Sequence, residues 1–430
     1  MEKSSHKKIL IITYYWPPAG GPGVQRWLKF AKYLPEFGWE PIIYTPENPS
    51  YPLLDESLLK DVPKNIKVVK TNIWEPYQIA EKLSKSNKKF KGGQFDVGQN
   101  QSWKSKLSIW IRGNFFIPDA RVFWVKPSIQ FLTKYIQEHQ IETIVTTGPP
   151  HSMHLIGLGL KEKFNNLQWI ADFRDPWTEI SYYKHLKLTK SSDKKHRTLE
   201  KSVFKNADIT LATSYTDAEN FKKAGANAVC ITNGFDESEI ENSKPSSHSN
   251  FVMSYVGVLE QLRNPEILWE ALSEMKLEDD NFRKDFRLKF VGRIDEQILN
   301  RLEQLQLQET IINKGYLKHD EALQEMQTSD ILLMTNFPND SSKGIIPGKI
   351  FEYLATGKKI LSFGPEGADV SEILKQTKAG KHFGYSEKKE LKDYLQQIYQ
   401  DWKNGNLKTE TENINDFSRK NLTQKLVEIL

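Results

Sequence analysis

Short apolar runs alternate with amphipathic stretches along almost the whole of the 430-residue chain. This alternation predicts parallel strands joined by crossover helices. The strand candidates of the first half are KILIITYY, EPIIYTP, IKVVKT, ETIVTTG, QWIADF, ITLATS and AVCITN. Helix candidates between them are VQRWLKFAKYLPEFG, SMHLIGLGLKEKF and TDAENFKKAG. The pattern therefore predicts an α/β fold with a Rossmann-like, doubly wound sheet.

A polar segment, DESEIENSKPSSHSN at 236–250, interrupts this alternation and is predicted to be a linker. The rhythm restarts with FVMSYVGVL, PEILWEALSEM, RLKFVGR, QILNRLEQLQL, HDEALQEMQTSD, ILLMTN and KKIL. We therefore expect two Rossmann-like domains, at 1–235 and 251–408, that face each other across a cleft. A last helix within 409–430 is expected to pack back on the first domain. Ligands of such folds bind at the carboxyl ends of the strands.

Composition narrows the class of protein. No stretch reaches the roughly 18 uninterrupted apolar residues that a membrane span needs. The single cysteine, Cys230, excludes an internal disulfide and a cysteine-based metal site, and it fits the reducing cytoplasm. A net charge of +5 suits anionic ligands or a membrane surface. Nucleic acid is not expected as a partner, because the basic residues are spread out and no DNA-binding motif is present.

The first predicted strand leads into a glycine-rich loop, Gly20-Gly21-Pro22-Gly23, which precedes a helix. Its backbone amides and the helix dipole are able to hold an anion. The loop is neither of the two common nucleotide loops: Arg26 stands where the dinucleotide pattern needs glycine, and no Gly-Lys-Ser/Thr ending follows. A tight turn at the edge of a domain remains the alternative.

Two further motifs follow strands of the first half. His151 comes directly after ETIVTTG and two prolines, where a doubly wound domain places ligand contacts. Asp172, Arg174 and Asp175 follow the next strand. These charges form either a structural ion pair or a carboxylate site for sugar hydroxyls. A metal site is not expected, since the chain has no Asp-any-Asp pair and no histidine cluster at ligand spacing.

In the second half, Gly257 ends a strand and a loop leads to a helix that opens with proline. Asn264 suits the helix cap and Pro265 the first helical position. Arg263 then stands at a helix N-terminus, where the dipole disfavours a cation. An anionic ligand would resolve this conflict.

The stretch GIIPGKIFEYLATGKKIL at 344–361 repeats the arrangement. Lys349 lies in the first turn of a predicted helix, beside Gly348, which lets a ligand approach the backbone closely. Amides and an ammonium together form a diphosphate site. Glu352, one turn further on, can accept hydrogen bonds from ribose hydroxyls. The alternative is a capped helix with an incidental lysine, and the recurrence at Arg263 favours the ligand.

The segment WKSKLSIWIRGNFF at 103–116 interleaves basic and aromatic residues and is predicted to be helical. One helical face carries Trp103, Leu107, Trp110 and Ile111. The flanks of that face carry Lys104, Lys106 and Arg112. Such a helix either lies on an anionic membrane surface or packs into a core with solvated lysines, and both interpretations stay open.

Taken in order, these stretches resemble a glycosyltransferase of the GT-B fold, in the large group called glycosyl transferases group one, or family four. The resemblance spans nearly the whole chain: the glycine loop, TTGPPHSMHLIG, WIADFRDPW, ITNGFD, YVGVLEQLRNPE and PGKIFEYLATGKKIL. It is strongest to bacterial members that build surface polysaccharides and glycolipids. It implies transfer of a sugar from a nucleoside-diphosphate donor, with retention at the anomeric carbon, without metal or other cofactor.

The resemblance also implies roles for individual residues. Arg263 binds the donor diphosphate, Lys349 faces the phosphates, and Glu352 binds the ribose. The expected donor-binding residues are Gly257, Gly348, Lys349, Glu352 and Arg263. The expected catalytic residues are Arg263, Lys349, Asp175 and His151, which falls near the family's histidine that contacts the transferred sugar. The expected acceptor or diphosphate loop consists of Gly20, Gly21 and Gly23 together with Arg174.

Two positions depart from the family pattern. The family has a glutamate eight residues before Glu352, where this chain has Gly344, and an arginine directly after the strand glycine, where it has Val258. Two alternatives therefore remain: a nucleotide-sugar epimerase of the same fold, and a catalytically silent nucleotide-sugar-binding subunit. The expected partners are a nucleotide sugar and a glycan or lipid-linked acceptor. We expect a cytoplasmic protein, to which the membrane-surface interpretation of 103–116 adds a contact with the inner face of the cytoplasmic membrane.

Overall fold

The computed structural model describes residues 6–76, 103–180, 183–236, 249–407 and 410–430. The chain divides into two compact units. Unit 1 consists of Met1–Thr232 together with Leu422–Leu430, and unit 2 consists of Asn233–Asn421. The predicted linker at 236–250 lies mostly outside the described residues.

Unit 1 contains a seven-stranded parallel sheet with the order β3-β2-β1-β4-β5-β6-β7. The order reverses between β1 and β4, which makes the sheet doubly wound. Its strands are β1 (Lys7–Ile12), β2 (Trp39–Pro46), β3 (Lys67–Thr71), β4 (Thr143–Gly148), β5 (Gln168–Phe173), β6 (Ile209–Ala212) and β7 (Ala228–Cys230). All seven strands predicted for the first half are confirmed.

Helices cover both faces of this sheet. They are α1 (Pro22–Tyr33), α2 (Trp103–Phe115), α3 (Val122–His139), α4 (Ser152–Lys161), α5 (Lys190–Asn206) and α6 (Tyr215–Lys223). Alternate residues of β1 point to opposite faces, so Leu10 and Ile12 belong to one apolar cluster and Ile9 and Ile11 to another. This double burial explains why the strands have continuous apolar sequences.

Unit 2 contains a six-stranded parallel sheet with the order β10-β9-β8-β11-β12-β13. Its strands are β8 (Phe251–Val256), β9 (Phe286–Val291), β10 (Ile311–Asn313), β11 (Ile331–Thr335), β12 (Lys359–Phe363) and β13 (Gly380–Phe383). Its helices are α7 (Glu266–Glu278), α8 (Asp280–Asp285), α9 (Glu296–Gln304), α10 (His319–Gln327), α11 (Lys349–Thr356), α12 (Asp369–Thr377) and α13 (Lys388–Lys403). The prediction of two Rossmann-like parallel sheets is confirmed.

A last helix, α14 (Arg419–Val427), begins in unit 2 and ends in unit 1. Its Leu422 and Leu426 are 2% and 0% exposed and join the apolar cluster of unit 1 that contains Ile9 and Ile11. Among the residues described, no helix combines the length and the apolar character needed to cross a membrane.

The predicted start of α7 is wrong by one residue. Glu266 is the first helical residue and Pro265 occupies the cap position, where no side chain caps the helix. The side chain of Asn264 instead accepts a hydrogen bond from Trp269 Nε1 at 2.6 Å and donates one to Glu266. Asn264 therefore fixes the loop before the helix through side-chain contacts.

Candidate functional site

The site in unit 2 is built around the carboxyl end of β8. Gly257 follows that strand with a φ of +120°, a backbone conformation that favours glycine. Its amide donates to the carbonyl of Val291 at 2.7 Å. The backbone of Gly292 approaches that of Gly257 closely, because a Cβ on Gly292 would lie 2.1 Å from the carbonyl oxygen of Gly257. The two glycines thus let the carboxyl ends of β8 and β9 lie close together, with no side chain on either residue to cover the backbone.

Lys349, the first residue of α11, reaches this strand end. Its Nζ donates to the carbonyl of Val256 at 3.1 Å and lies 3.9 Å from the ring centroid of Tyr255. A Cβ on Gly257 would lie 3.8 Å from the same Nζ. Protein atoms surround the ammonium, and this burial lowers the pKa of Lys349 below its usual value. The structure therefore brings together Lys349 and Gly257, two of the predicted donor-binding residues.

Arg263 ends a short 3₁₀ turn, Gln261–Arg263, after the same strand. Its Nη2 donates to the carbonyl of Val258 at 2.9 Å, and the guanidinium lies 5.7 Å from the ring centroid of Phe337. Glu260 lies 3.5 Å from Nη2. The Nε atom is buried and has no hydrogen-bond partner among the described residues. A buried donor without a partner is costly, so this nitrogen is available to a ligand.

Glu352 and Gly348 flank Lys349 on the same helix. Gly348 occupies the cap position with a φ of −54°, and a Cβ on it would meet nothing within 4 Å. Glu352 is half-buried in the first turn, and its negative charge partly opposes the lowering of the pKa of Lys349. The predicted set of Gly257, Arg263, Gly348, Lys349 and Glu352 thus lies at the carboxyl end of β8 and the start of α11.

Tyr385 is a residue of this site that the sequence did not indicate. It lies two residues beyond β13, and its hydroxyl reaches the main-chain carbonyls of Arg263, at 3.3 Å, and of Asn336. Asn336 in turn donates to the carbonyl of Ile345 at 2.8 Å, in the loop before α11. Tyr385 therefore positions the loop that carries Arg263 against the end of β11. No sequence signal pointed to it, because the strand that precedes it, Gly380–Phe383, has no apolar run.

The site in unit 1 is built around the glycine loop after β1. The amide of Gly20 donates to the carbonyl of Leu53 at 2.9 Å, and Gly21 has a φ of +94° at the cap position of α1. A Cβ on Gly23 would lie 2.3 Å from Nη1 of Arg174. A side chain at 23 would therefore displace the guanidinium of Arg174 from its present position.

Arg174 connects three strand ends of unit 1. It donates to the main-chain carbonyls of Gly23, Gly148 and Pro149, after β1 and at the end of β4, while Arg174 itself follows β5. The predicted residues Gly23 and Arg174 are thus in direct contact. Asp175, the next residue, is exposed to solvent.

His151 lies at the start of α4 and is 7% exposed. Its ring stacks on Trp177 at a centroid distance of 5.0 Å and an interplanar angle of 4°. Neither ring nitrogen has a hydrogen-bond partner among the described residues. Burial lowers the pKa of His151 well below its usual value, so the imidazole is neutral at neutral pH. A neutral imidazole offers one donor and one acceptor to a ligand.

Asp172 is a structural residue. Its carboxylate is 0% exposed and pairs with Arg26 at 3.1 Å. It also accepts hydrogen bonds of 2.7 Å from Trp27 Nε1 and from Thr147 Oγ1. The open question at this motif is therefore settled for Asp172: it forms an ion pair, and the partner is Arg26 of α1 rather than the neighbouring Arg174.

The helix at 103–116 presents apolar side chains to solvent. Leu107, Trp110 and Ile111 are 45%, 37% and 38% exposed. The alternative of a core-packed helix therefore does not hold for these three residues. The side chains of Trp103, Lys104 and Lys106 lie outside those described.

Within the described part of the chain, no group of three or more histidine, cysteine, aspartate or glutamate side chains is arranged to hold a metal ion.

Residues 236–415 match the family model described as glycosyl transferases group 1. The matched segment corresponds to most of unit 2 and contains Arg263, Lys349 and Glu352. No curated protein matches the chain.

Solved structures resemble the whole chain, including the part outside the segment that matches the family model. A glycosyltransferase from Rickettsia africae ESF-5 is 16% identical with a TM-score of 0.58, over 98% of this chain and 97% of that one. Anabaena HepE, solved with UDP and glucose, is 14% identical with a TM-score of 0.58, over 99% of each chain. Sucrose-phosphate synthase from Thermosynechococcus elongatus is 14% identical with a TM-score of 0.57, over 98% of each chain. These similarities confirm the two-domain GT-B fold.

Proposed function

We propose that the protein is a retaining glycosyltransferase that moves a sugar from a nucleoside-diphosphate donor to a glycan or lipid-linked acceptor in polysaccharide or glycolipid biosynthesis. The observation that carries the proposal is the pair of cations at one strand end of unit 2. Lys349 reaches β8 with an enclosed ammonium, and Arg263 has a buried Nε without a hydrogen-bond partner among the described residues. HepE, which has the same fold, was solved with UDP and glucose.

In this proposal the chemistry is charge stabilisation. Cleavage of the bond between the sugar and the diphosphate leaves negative charge on the departing nucleotide. Arg263, Lys349 and the amides at the start of α11 stabilise that charge, and such preorganised groups are often the largest catalytic contribution. The acceptor hydroxyl attacks from the face that the nucleotide leaves and gives its proton to a phosphate oxygen of the leaving group. Neither a protein nucleophile nor a metal ion takes part in this scheme.

We assign the acceptor to unit 1. We assign His151 to a sugar hydroxyl, because both of its ring nitrogens are buried without a hydrogen-bond partner among the described residues. Asp175 is exposed beside Arg174 and is available to an acceptor hydroxyl. Arg174 also contacts the glycine loop, because it donates to the carbonyl of Gly23.

A donor panel with the purified full chain tests the function. UDP-, GDP- and dTDP-sugars are incubated with and without glycan and lipid-linked acceptors, and nucleotide release is measured. We expect release with at least one donor, and NMR of the product should show the anomeric configuration of the donor. An inverted product would refute retention, an epimer of the donor without nucleotide release would identify an epimerase, and binding without any turnover would identify a silent subunit.

Variants locate the reaction at the proposed site. Arg263→Ala and Lys349→Ala should each lower kcat roughly a hundredfold, because each removes one preorganised charge from the leaving group. Arg283→Ala and Lys378→Ala are matched controls, since these cations form exposed pairs with Asp280 and Glu412. Wild-type turnover in either site variant would refute the assignment.

We also propose that the protein works on the cytoplasmic side of the membrane and contacts its surface through α2. The exposed Leu107, Trp110 and Ile111 support this proposal, because amphipathic helices of this makeup bind at lipid interfaces. Flotation with vesicles of phosphatidylglycerol and phosphatidylcholine should show that Trp110→Ser/Ile111→Ser binds less than wild type. The control is Leu277→Ser, at a leucine of unit 2 that is 75% exposed. Equal flotation of both variants would remove this contact.

A further inference from the structure

The ring of His151 stacks on a buried tryptophan. Trp177 lies in the loop after β5 and is 3% exposed, and its indole is almost parallel to the imidazole, at an angle of 4° and a centroid distance of 5.0 Å. The rings of His154 and Phe173 lie further from His151, at 5.7 Å each, and are tilted by 35° and 33°. An imidazole donates and accepts hydrogen bonds through its two ring nitrogens, in the plane of the ring. The orientation of the indole therefore sets the plane in which His151 offers both groups.

The orientation of Trp177 depends on His196 of α5. Trp177 Nε1 donates to His196 Nδ1 at 3.0 Å, and His196 is 2% exposed. Because Nδ1 accepts this hydrogen bond, the neutral ring carries its proton on Nε2, which lies 3.4 Å from the carbonyl oxygen of Gly113 in α2. Burial lowers the pKa of His196, which favours the neutral form. His196 is therefore held at both ring nitrogens and is a fixed acceptor for the indole.

The same helix also holds the residue after Trp177. Glu200 lies one turn after His196 in α5, and its carboxylate accepts from the amide of Thr178 at 3.0 Å and from the hydroxyl of Thr178 at 2.6 Å. Glu200 and Thr178 are both buried. Residues at positions i and i+4 lie on the same face of a helix. One face of α5 therefore fixes the loop that carries the indole.

The backbone next to His151 is fixed by a separate set of contacts. Ser152 follows His151 at the start of α4, and its amide and hydroxyl donate to the two carboxylate oxygens of Asp119, each at 2.9 Å. The ring of His151, by contrast, has no hydrogen bond to any of the residues described. Its orientation therefore depends on packing, and the tryptophan on which it stacks is itself oriented by hydrogen bonds.

We propose that Trp177 and His196 are positioning residues for sugar transfer, which hold the His151 ring in the orientation that it needs to bond a sugar hydroxyl. The inference rests on the proposed function, in which His151 makes that contact. A misplacement of about 1 Å can cost on the order of a hundredfold in rate, so residues that orient the ring without touching the sugar still affect turnover. Because both residues act through His151, their loss adds nothing once His151 itself is removed.

Kinetics of matched variants test the proposal, with the donor that the panel identifies. Trp177→Phe keeps an aromatic ring beside His151 but removes the indole N–H, and it should lower kcat roughly tenfold. Kd for UDP should stay the same, because the proposed nucleotide site lies in unit 2. His196→Leu removes the acceptor and should act like Trp177→Phe. His196→Asn restores a carbonyl oxygen near the position of Nδ1 and should recover most of the turnover.

The control is Trp124→Phe, which also removes a buried indole hydrogen bond of unit 1. Trp124 is 1% exposed, and its Nε1 donates to the hydroxyl of Thr71 at 3.0 Å. This variant should turn over like wild type. Thermal melting shows whether each variant is folded, and Trp177→Phe with His196→Asn completes the test if His196→Leu does not fold. A Trp177→Phe variant that turns over like the control would overturn the proposal.

A double-mutant cycle shows whether the positioning residues act through His151. His151→Ala should lower kcat at least as much as Trp177→Phe does, and Trp177→Phe should cause no further loss in the His151→Ala background. A general effect on the fold would lower kcat by the same factor in both backgrounds, and that result would overturn the proposal. Wild-type kcat in His151→Ala would overturn it together with the role of His151, and would leave the charge stabilisation by unit 2 intact.

An NMR test separates this inference from the proposed function, because it needs no donor. With labelled histidine, the ring nitrogens of His196 should show the Nε2–H tautomer, and the ring current of Trp177 should shift the ring protons of His151. We expect His196→Leu to change the shifts of His151 and His196→Asn to keep them. Unchanged shifts in His196→Leu would overturn the positioning. Absence of sugar transfer with every donor would refute the proposed function, and the NMR result would then decide whether His196 orients His151.

Discussion

The ion pair between Arg26 and Asp172 makes a strong prediction about stability. Both side chains are almost fully buried, at 1% and 0% exposed, and the carboxylate accepts three further hydrogen bonds, from Arg26 Nε, Trp27 and Thr147. The substitution Asp172→Asn keeps the shape of the side chain but leaves the guanidinium of Arg26 as a buried charge without a counter-ion. Removal of one partner of a buried pair typically costs about 3–5 kcal/mol.

That cost is a large part of the free energy of unfolding of a typical domain, which is about 5–15 kcal/mol. With a urea m-value of about 2–3 kcal/mol per molar, the midpoint of unfolding should fall by roughly 1.5 M. Tryptophan fluorescence is a suitable assay, because nine of the eleven tryptophans lie between residues 1 and 232 and report on unit 1. The control Glu179→Gln breaks an ion pair whose side chains are 71% and 46% exposed, and it should cost less than about 1 kcal/mol.

A second variant tests the physical cause. Arg26→Met in the Asp172→Asn background removes the uncompensated charge and should recover part of the lost stability. Binding of nucleotide to unit 2 should stay the same in both variants. If Asp172→Asn unfolds at the wild-type urea concentration yet loses sugar transfer, Asp172 is a functional carboxylate and the structural assignment is refuted.

Three other measurements follow from the sites. Gly348→Ala should melt like wild type, because the added Cβ would meet nothing within 4 Å. If a phosphate lies against this backbone, the variant should bind UDP several-fold more weakly. Unchanged binding would exclude that contact. Burial lowers the pKa of Lys349 below the usual lysine range. The affinity for UDP should therefore fall as the pH rises through this pKa, while Lys349→Arg should keep its affinity. Equal pH profiles of the two proteins would contradict the loss of the Lys349 charge as the cause. Burial lowers the pKa of His154 to about 3, below the value of a histidine in the unfolded chain. The contribution of His154 to the free energy of unfolding is therefore present above about pH 6.5 and is lost as the pH falls, by up to about 1.4 kcal/mol per pH unit. His154→Gln should make urea unfolding less sensitive to acid between pH 6 and pH 4, and an unchanged slope would count against this cause.

The fold was predictable from local patterns wherever the strands are long and buried. In unit 2 the strands missed by the sequence are the two edges of the sheet, Ile311–Asn313 and Gly380–Phe383. One has only three residues and the other begins with glycine and lysine, so neither has an apolar run. Helices α3, α5, α8 and α13 were missed as well. The sequence of α5, KSSDKKHRTLEKSVFKN, is mostly polar and buries only a narrow stripe that includes Val203 and Phe204.

The candidate site likewise contains residues that a local sequence pattern indicated and contacts that no local pattern could indicate. Lys349 and Arg263 were singled out because each lies at or just before a predicted helix start, which is a local signal. Tyr385 lies 122 residues from Arg263 along the chain, and Arg26 lies 146 residues from Asp172. Such contacts depend on the order of strands in the sheet, which a single sequence does not display. The roles in the reaction of all the predicted site residues, Arg263 and Lys349 included, stay predictions.

The return of α14 to unit 1 has a consequence for the order of synthesis. Leu422 and Leu426 are translated after unit 2, yet they belong to the apolar cluster of unit 1 that contains Ile9 and Ile11. Between Thr232 and Leu422 the ribosome makes the whole of unit 2. Until unit 2 has been translated, the part of the unit 1 core that Leu422 and Leu426 cover is therefore exposed to solvent. A protein fragment that ends at residue 232 should be aggregation-prone and should depend on chaperones. Addition of residues 410–430 as a separate peptide should improve the solubility of this fragment.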